Sequence, residues 1–314
     1  SSRISRPITA PGAKLGQTGR VTGISPEWYE RNIQSYAYNL LWNLQADEMV
    51  QNTILIRLLT GVFMLLLSLQ INAREEGKHS ASSVTKLKPG EWSYTGQTGP
   101  EHWASLSKDF AACGSGTRQS PIDLRVSKQT HLPPLNIHYR TSVTSIRRSP
   151  HLLRLDYDPG SYLKIKGQRY RLVGFDFHTP GEHAIQGKRS DMEIHLHHRG
   201  PQGEPLILAI PVMGGHRKNI TLQRIFDNIP TVGSHSYNRR MGMNALFLLP
   251  RDRSYFTYEG SETRPPCAET IQWIVLKTPT HVSWEEINHM KAIVGLNARP
   301  MQPLNGRIVW AGDK

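Results

Sequence analysis

Cysteine is scarce in this chain, with two residues, Cys113 and Cys267, among 314. Taken alone, two cysteines so far apart favour two free thiols over a disulfide framework. Acidic residues are also few, 25 against 38 Lys and Arg, which gives a net charge of +13. A surface this basic suits nucleic acid, anionic lipid or an acidic protein. Because the sequence lacks a nucleic-acid motif and spreads its basic residues along its length, we expect no nucleic-acid partner.

The chain also lacks an initiator Met, since Ser1 stands first, and we expect a processed or truncated form. Its hydrophobic content of 38% and mean hydropathy of −0.46 are those of an ordinary soluble domain. Its length allows one large domain with an extension, or two small domains. Either arrangement is long enough for a sizeable core.

The segments before residue 89 differ in composition. Residues 1–25 are rich in Gly, Pro, Ser, Thr and Arg and predict an extended arm. Residues 26–52 predict an amphipathic, aromatic-rich helix that needs lipid or another protein to cover it. Residues 72–88 are polar and predict a tether, and the main domain is expected to occupy 89–314.

Residues 53–71 predict a single transmembrane helix. The segment carries one charge, Arg57, near its start. Nineteen helical residues extend about 28 Å, close to the roughly 30 Å hydrocarbon core of a bilayer. The alternatives are the apolar part of a signal peptide and a buried helix. The Lys and Arg residues that follow favour the inner side of the membrane for the domain.

Two runs of period-2 alternation lie between Gly174 and His198. Such alternation predicts strands, and the glycines between the runs predict turns. If the strands pair, four side chains converge: Asp176, His178, His195 and His197. Imidazoles two residues apart on a strand suit a tetrahedral zinc site with an open position. The alternative is a polar sheet face with scattered histidines.

The same stretch resembles the metal-site hairpin of the α-carbonic anhydrases. Glu182-His183 matches the family's S-E-H element apart from the serine, and Glu193-Ile194-His195-Leu196 matches its E-L/M-H-L element. Further matches follow the family order: Trp92 to Tyr94, Gly99 to Trp103, Gln119 to Leu124, and Asn297 to Leu304. The resemblance implies an α/β, β-dominated fold, namely a large, mostly antiparallel twisted central sheet with short peripheral helices. The predicted N-terminal helical and transmembrane extension precedes this fold.

Within that fold the sequence predicts further elements. We expect strands at Leu206–Met213, interrupted at Pro211, at Ala245–Leu249 and at Ile271–Leu276, and helices at Ile220–Ile229 and Ser283–Ile293, the second with Ser283 as N-cap.

The resemblance also implies zinc, which activates water for attack on carbon dioxide. His178 and His195 fall on two of the family's three ligand positions, and Asp176 falls on the third. The remaining implied roles are a catalytic Thr263 oriented by Glu182, a proton-carrying His151, and Glu193 and Asn297 as residues that support the metal ligands. Ile207, Glu262, Arg264 and Trp273 are assigned to the pocket. Many secreted and lumenal members bridge the positions of Cys113 and Cys267, so the resemblance implies that disulfide and an oxidising compartment.

The departures from the family pattern cluster in the active site. Asp176 replaces a neutral imidazole with a shorter, charged ligand, and Gly174 stands where a Gln supports that imidazole. His197, Glu262 and Arg264 place polar and charged groups where the family has a carbon dioxide pocket. His197 could alternatively join the other three side chains and rebuild a metal site.

Two functions follow from these departures. The first is a catalytically degenerate accessory subunit of a membrane complex, anchored in the membrane by one span and associated with other protein subunits. The second is an active zinc carbonic anhydrase, which hydrates carbon dioxide to bicarbonate, with an Asp-substituted site. From the basic charge, the missing Met and the tether we expect the mitochondrial inner membrane. The domain is expected in the intermembrane space, because the implied disulfide outweighs the small charge bias. The alternatives are a thylakoid or secretory membrane.

Overall fold

The computed structural model describes residues 14–15, 21–22, 90–125 and 127–312. For residues 14–15, 21–22, 143 and 239–241 it describes the backbone alone. The chain divides into two units, Ser1–Thr85 and Lys86–Lys314. In the first unit, β1 (Lys14–Leu15) pairs antiparallel with β2 (Val21–Thr22). The predicted aromatic helix at 26–52, transmembrane span at 53–71 and tether at 72–88 lie outside the described residues.

The second unit is built on strands. Their bounds are β3 Lys128–Thr130, β4 Asn136–His138, β5 Ser142–Ser149, β6 Leu152–Tyr157, β7 Tyr162–Ile165, β8 Gln168–His178, β9 Ala184–Ile185, β10 Lys188–Arg189, β11 Met192–Arg199, β12 Pro205–Gly215, β13 His235–Met243, β14 Tyr255–Gly260, β15 Ile271–Leu276, β16 Thr280–Ser283 and β17 Trp310–Gly312.

These strands form one large sheet and one small hairpin, β9 with β10. The sheet runs β13-β5-β6-β8-β11-β12-β15-β14-β17-β3, with β16 beside β12 and with β7 joining β4 to β8. Neighbours are antiparallel except for β12 with β15, β12 with β16, and β17 with β3. The predicted β-dominated, mostly antiparallel sheet is confirmed.

The helices are short and lie between strands. Their bounds are α1 Trp103–Leu106, α2 Ala112–Ser115, α3 Ile220–Phe226 and α4 Trp284–Val294, with 3₁₀ turns at Gly96–Thr98, Lys108–Phe110 and Ala245–Leu248. Helix α4 begins as predicted, because Ser283 and Glu286 form a reciprocal capping box. Within the described residues, no helix has the length and apolarity needed to cross a membrane.

Two sequence-based expectations about strands need correction. Ala245–Leu249 was expected to be a strand, but Asn244 caps a 3₁₀ turn by accepting a hydrogen bond from the Leu246 N–H. Strand β12 was expected to break at Pro211, but it continues through it. On one side β12 pairs with β15 up to Ala209 and with β16 from Val212. Pro211, which has no N–H to donate, therefore lies where the neighbouring strand changes.

The central strands bury both of their faces, in two separate hydrophobic clusters. Phe175 and Phe177 of β8 and Leu196 of β11 belong to the larger cluster. Ile207 of β12 and Trp273 of β15 belong to a smaller cluster. Because side chains alternate along a strand, the polar residues of β8 and β11 emerge on the face opposite the larger cluster.

The Cys113–Cys267 disulfide implied by the family resemblance is present, with a Cα–Cα distance of 5.0 Å. It joins α2 to the loop after β14 and packs with Tyr94 and Trp103 in a third hydrophobic cluster. The bridge closes a sequence separation of 154 residues, so it fixes the segment before the sheet to the loop that carries Glu262, Thr263 and Arg264.

Candidate metal centre

Strands β8 and β11 bring the predicted metal ligands together. They pair antiparallel with Asp176 opposite His195 and with His178 opposite Glu193. One donor atom each from Asp176, His178 and His195 lies within 4.8 Å of the others, and all three residues are buried. The convergence predicted from the two alternating runs is therefore what the paired strands produce.

Each of the two histidines is held through one ring nitrogen. His178 donates from Nδ1 to the backbone oxygen of Asn297 at 3.0 Å. His195 donates from Nε2 to Glu193 Oε1 at 2.7 Å. A hydrogen bond at one ring nitrogen fixes the ring and aims the other nitrogen at a metal. Glu193 and Asn297, which were predicted to support the ligands, make these two contacts.

The donor set fits zinc in its chemistry, since it offers two imidazole nitrogens and one carboxylate oxygen. Glu182 lies against the same histidines, with Oε2 3.6 Å from His178 Nδ1 and 3.9 Å from His195 Nδ1. This oxygen is buried and has no hydrogen-bond partner among the described residues. An uncompensated buried carboxylate oxygen beside two imidazoles favours a cation or a proton at this place.

Asp176 differs from an ordinary ligand because the chain already surrounds its carboxylate with donors and cations. Its side chain is 0% exposed. Oδ1 accepts a hydrogen bond from His197 Nε2 at 3.0 Å. Oδ2 forms ion pairs with Arg264 at 3.1 Å and with Arg154 at 3.6 Å. We refer to Asp176, His197, Arg264 and Arg154 as the Asp176 cluster.

The cluster keeps Asp176 ionised. Burial alone would raise the pKa of its carboxyl, but His197 and Arg264 outweigh burial and hold that pKa well below its usual range. Burial, with a contribution from Arg154, lowers the pKa of His197 to about 3 despite the attraction of Asp176. His197 is therefore a neutral donor to Asp176. It was predicted as a possible substitute ligand, but it is placed beside the metal-binding group rather than in it.

The pKa of His178 is shifted in the opposite direction, upward. Burial lowers its pKa, but Glu182 and Asp176 outweigh burial and raise that pKa to about 9. At neutral pH the metal-free imidazole therefore holds a proton between two carboxylates. A metal ion must displace this proton before His178 can act as a ligand, which makes metal affinity depend on pH.

Gly174 makes room for part of the cluster. A Cβ at this position would lie 2.9 Å from Arg154 Nη2 and would also collide with the backbone oxygen of Leu155. Arg154 therefore reaches Asp176 across a position that tolerates no side chain. Sequence reasoning missed Arg154, although the alternation of Leu153, Arg154 and Leu155 places it on the face opposite the two leucines.

The predicted catalytic residues occupy different surroundings. Thr263 is buried and lines the cavity at the site. Glu182 Oε1 accepts a hydrogen bond from the Arg299 N–H at 2.9 Å, and Oε2 accepts none from any described residue, Thr263 included. His151 packs edge-on against Tyr94, with ring centroids 5.9 Å apart, and does not line the cavity.

The site opens into a cavity of about 580 Å³. Three of the predicted pocket residues line it, Ile207, Glu262 and Arg264. Burial raises the pKa of Glu262, although Arg264 and Arg199 oppose that shift. The fourth, Trp273, is buried behind the site, with its ring centroid 4.9 Å from that of His195. The cavity wall is therefore charged close to the metal-binding group.

Comparisons with known proteins agree with this fold. The family model for eukaryotic-type carbonic anhydrase matches residues 98–313. A carbonic anhydrase of Nostoc sp. is 38% identical over 234 residues, which are 73% of this chain and 88% of the relative. One from Neisseria gonorrhoeae is 34% identical over 254 residues, 80% and 95% of the two chains. The solved α-carbonic anhydrase of Photobacterium profundum has a TM-score of 0.66 at 36% identity, covering 70% of this chain and 100% of its own.

Proposed function

Since the chain belongs to the α-carbonic anhydrase family, we propose that it is a member whose carbon dioxide hydration is lost or strongly reduced. Its role in this proposal is that of an accessory subunit in a membrane protein complex. The observation that carries the proposal is the Asp176 cluster. A carboxylate stands in the metal-binding group, where an imidazole donates a hydrogen bond to it and two guanidinium groups form ion pairs with it.

Zinc, when bound, supplies the Lewis-acid chemistry that activates water in this family. His178, His195 and Asp176 are the residues that would hold it. Binding would place a dication beside Arg264 and Arg154, which repel it, and would take Asp176 from its present partners. It would also require His178 to lose its proton. These costs act together against metal affinity.

The polar wall of the cavity also disfavours carbon dioxide as a substrate. Carbon dioxide is uncharged and needs an apolar surface beside the reacting group. Here Glu262, Arg264 and His197 line the cavity, and charged or polar side chains hold water more strongly than an apolar gas. A low metal affinity and a polar cavity are two independent reasons for weak turnover.

The accessory role rests on the predicted N-terminal segments. A single span at 53–71 would anchor the domain, and the aromatic helix at 26–52 would pack against lipid or another subunit. The Cys113–Cys267 disulfide suits an oxidising compartment. Our proposal for the location is the mitochondrial inner membrane with the domain in the intermembrane space, and a thylakoid or secretory membrane is the alternative.

A second candidate function is an active zinc carbonic anhydrase with an aspartate ligand. It is favoured by the anchoring of His178 by Asn297 and of His195 by Glu193, which leaves each ring aimed at the metal-binding group. The relatives that carry the name carbonic anhydrase favour it as well. It requires zinc to displace the His197 hydrogen bond from Asp176 Oδ1, the oxygen that faces His178, and to bind beside the two arginines that pair with Oδ2.

Metal analysis and a hydration assay separate the two candidates. We expect purified protein, equilibrated with excess zinc and then desalted, to retain well under one zinc per chain and to show no hydration above the uncatalysed rate in stopped flow. An α-carbonic anhydrase treated in the same way serves as the positive control. Stoichiometric zinc together with fast turnover would refute the proposal in favour of the second candidate.

The accessory role needs its own experiment. We expect the full chain to remain in the membrane fraction after alkaline carbonate extraction and to migrate with other subunits on a native gel after mild detergent. Deleting residues 26–52 should release it from that complex while leaving it in the membrane. Recovery of the full chain as a free monomer in the carbonate supernatant would contradict the role.

A further inference from the structure

Three large apolar side chains are exposed together on the second unit. Ile220, at the start of α3, is 64% exposed, Phe247, in the 3₁₀ turn after β13, is 63% exposed, and Trp284, at the start of α4, is 50% exposed. Asn219 joins the segments that carry them, because its Nδ2 donates to the Phe247 oxygen at 3.2 Å and its N–H donates to Glu286 Oε1 at 2.8 Å. We refer to Ile220, Phe247 and Trp284 as the Trp284 patch.

The indole of Trp284 is held in place on the surface. A Cβ at Gly214 of β12 would collide with three atoms of this ring, so the indole lies directly on the glycine backbone. The capping box of Ser283 and Glu286 fixes the start of α4. The ring therefore packs on the sheet while half of the residue stays accessible, and little conformational entropy is lost when a partner covers it.

The surroundings of the patch are basic. Arg217 and Lys218 are exposed directly before the start of α3, and Arg224 is exposed one turn into it. Glu285, next to the indole in sequence, pairs with Lys218 at 2.9 Å. The second unit as a whole contains 30 Lys and Arg against 19 Asp and Glu, an excess of 11. Both the local cations and the charge of the whole unit favour an anionic partner surface.

The patch is small for a contact with another protein. At their observed exposure its three side chains present roughly 300 Å² of apolar surface, whereas a stable interface takes about 800 Å² from each partner. Insertion into the interfacial layer of a bilayer needs no wider surface, because lipid surrounds each side chain separately. Trp and Phe beside Lys and Arg are also typical of segments that lie in this layer. The size and the composition of the patch therefore favour lipid over protein.

We propose that the Trp284 patch inserts into the interfacial layer of an anionic lipid membrane, with Arg217 and Lys218 at the headgroups. Anionic headgroups attract such cations near the surface, and the attraction falls off within a Debye length. The inference rests on the proposed membrane location, but it does not need the predicted span at 53–71. It gives the folded domain a membrane contact of its own.

Fluorescence of a single dye on the full chain tests this proposal. Cys113 and Cys267 bridge each other, so the cysteine of N288C is the only free thiol. Asn288 is exposed one turn after Trp284 on α4. N288C is labelled with a nitrobenzoxadiazole dye and reconstituted with phosphatidylcholine vesicles that contain or lack phosphatidylglycerol. The measurements are the emission wavelength and the quenching of the dye by lipids with a nitroxide on the acyl chain.

We expect the dye to be quenched and its emission to move to shorter wavelength in anionic vesicles, and much less in neutral ones. A dye on V232C is the control for position, because Val232 is 53% exposed but lies outside the patch. W284S should lower the ratio of quenched to unquenched dye roughly 10-fold, since a large aromatic side chain no longer leaves water. W310S removes another exposed Trp, on β17, and should leave the ratio unchanged. Should W284S fail to fold, F247S is measured in its place.

The proposal is overturned if the dye on N288C is not quenched in anionic vesicles, or is quenched equally in neutral ones. Equal quenching at V232C, or equal losses in W284S and W310S, would overturn it as well. A wavelength shift that appears without vesicles and grows with protein concentration would identify a second copy of this chain as the partner instead. Alkaline extraction measures the predicted anchor separately. A chain without that anchor would still be recruited from solution to anionic vesicles through the patch, so the two failures are distinguishable.

Discussion

Removing the charge of Asp176 is the sharpest test of the Asp176 cluster. D176N keeps the size of the side chain but takes away the anion that Arg264 contacts at 3.1 Å and Arg154 at 3.6 Å. Breaking a fully buried ion pair costs about 3–5 kcal/mol, because one partner is left charged and unpaired. The Arg264 and Arg154 side chains are 25% and 14% exposed and can recover part of their hydration. We therefore expect D176N to lower the free energy of unfolding by about 2–4 kcal/mol.

Urea denaturation of zinc-free protein at pH 7 measures this loss, and a double-mutant cycle identifies its source. D176N, R264Q and the double variant should show a coupling energy of about 1–3 kcal/mol, since the two residues are in direct contact. E285Q is the control. Glu285 is 73% exposed and pairs with Lys218, which is 59% exposed, and an exposed pair of this kind contributes about 0–1 kcal/mol.

The pH dependence of the loss has a defined sign. Asp176 has a folded-state pKa below its ordinary value of 3.8, so its contribution is complete above about pH 5 and is lost as the pH falls through the folded-state pKa. The gap between wild type and D176N should narrow as the solution becomes more acidic than about pH 5. If D176N unfolds within about 0.5 kcal/mol of wild type at pH 7, a change typical of neutral surface substitutions, the cluster does not stabilise the fold.

Other perturbations give separate checks. Replacing Cys113 and Cys267 with Ser should lower the free energy of unfolding by about 3–5 kcal/mol in urea, because the bridge closes a separation of 154 residues; an unchanged midpoint would contradict this. Burial lowers the pKa of His198 to about 4, so stability should fall by about 3 kcal/mol as the pH drops from 6.5 to 4, and H198Q should lose that part of the acid dependence. G174A should destabilise by about 1–3 kcal/mol in thermal unfolding because its Cβ meets the Leu155 oxygen; an unchanged Tm would show that the backbone adapts.

The sequence identified the central strands because their pattern is local. Strict alternation at Phe175 to His178 and at Glu193 to His197 needs no knowledge of distant residues, and β8 and β11 follow it. Helix α4 was predictable for the same reason, since Ser283 and Glu286 form a capping box within four residues. The order and family of the remaining elements came from the resemblance, and periodicity alone does not supply them.

The contacts that define the site could not be predicted in this way, because they join residues far apart in sequence. Arg154 and Arg264 meet at Asp176 although 110 positions separate them. The apolar stretch that begins at Ala245 was predicted to be a strand. It forms a 3₁₀ turn instead, because the Asn244 side chain caps that turn. Residue propensity favours one type of secondary structure, and a side-chain cap can stabilise a different one.

The long-range contacts also determine whether a single substitution could restore the three-imidazole site of the family. An imidazole restored by D176H would remove the carboxylate that Arg264 and Arg154 share, and would place a metal-binding group beside two unpaired cations. Supporting that imidazole with a side chain at Gly174 would in turn force Arg154 out of its place. A return to a three-imidazole site therefore requires changes at all of these positions together. The cluster is a self-consistent arrangement of charges, and its members stabilise one another in the absence of a metal.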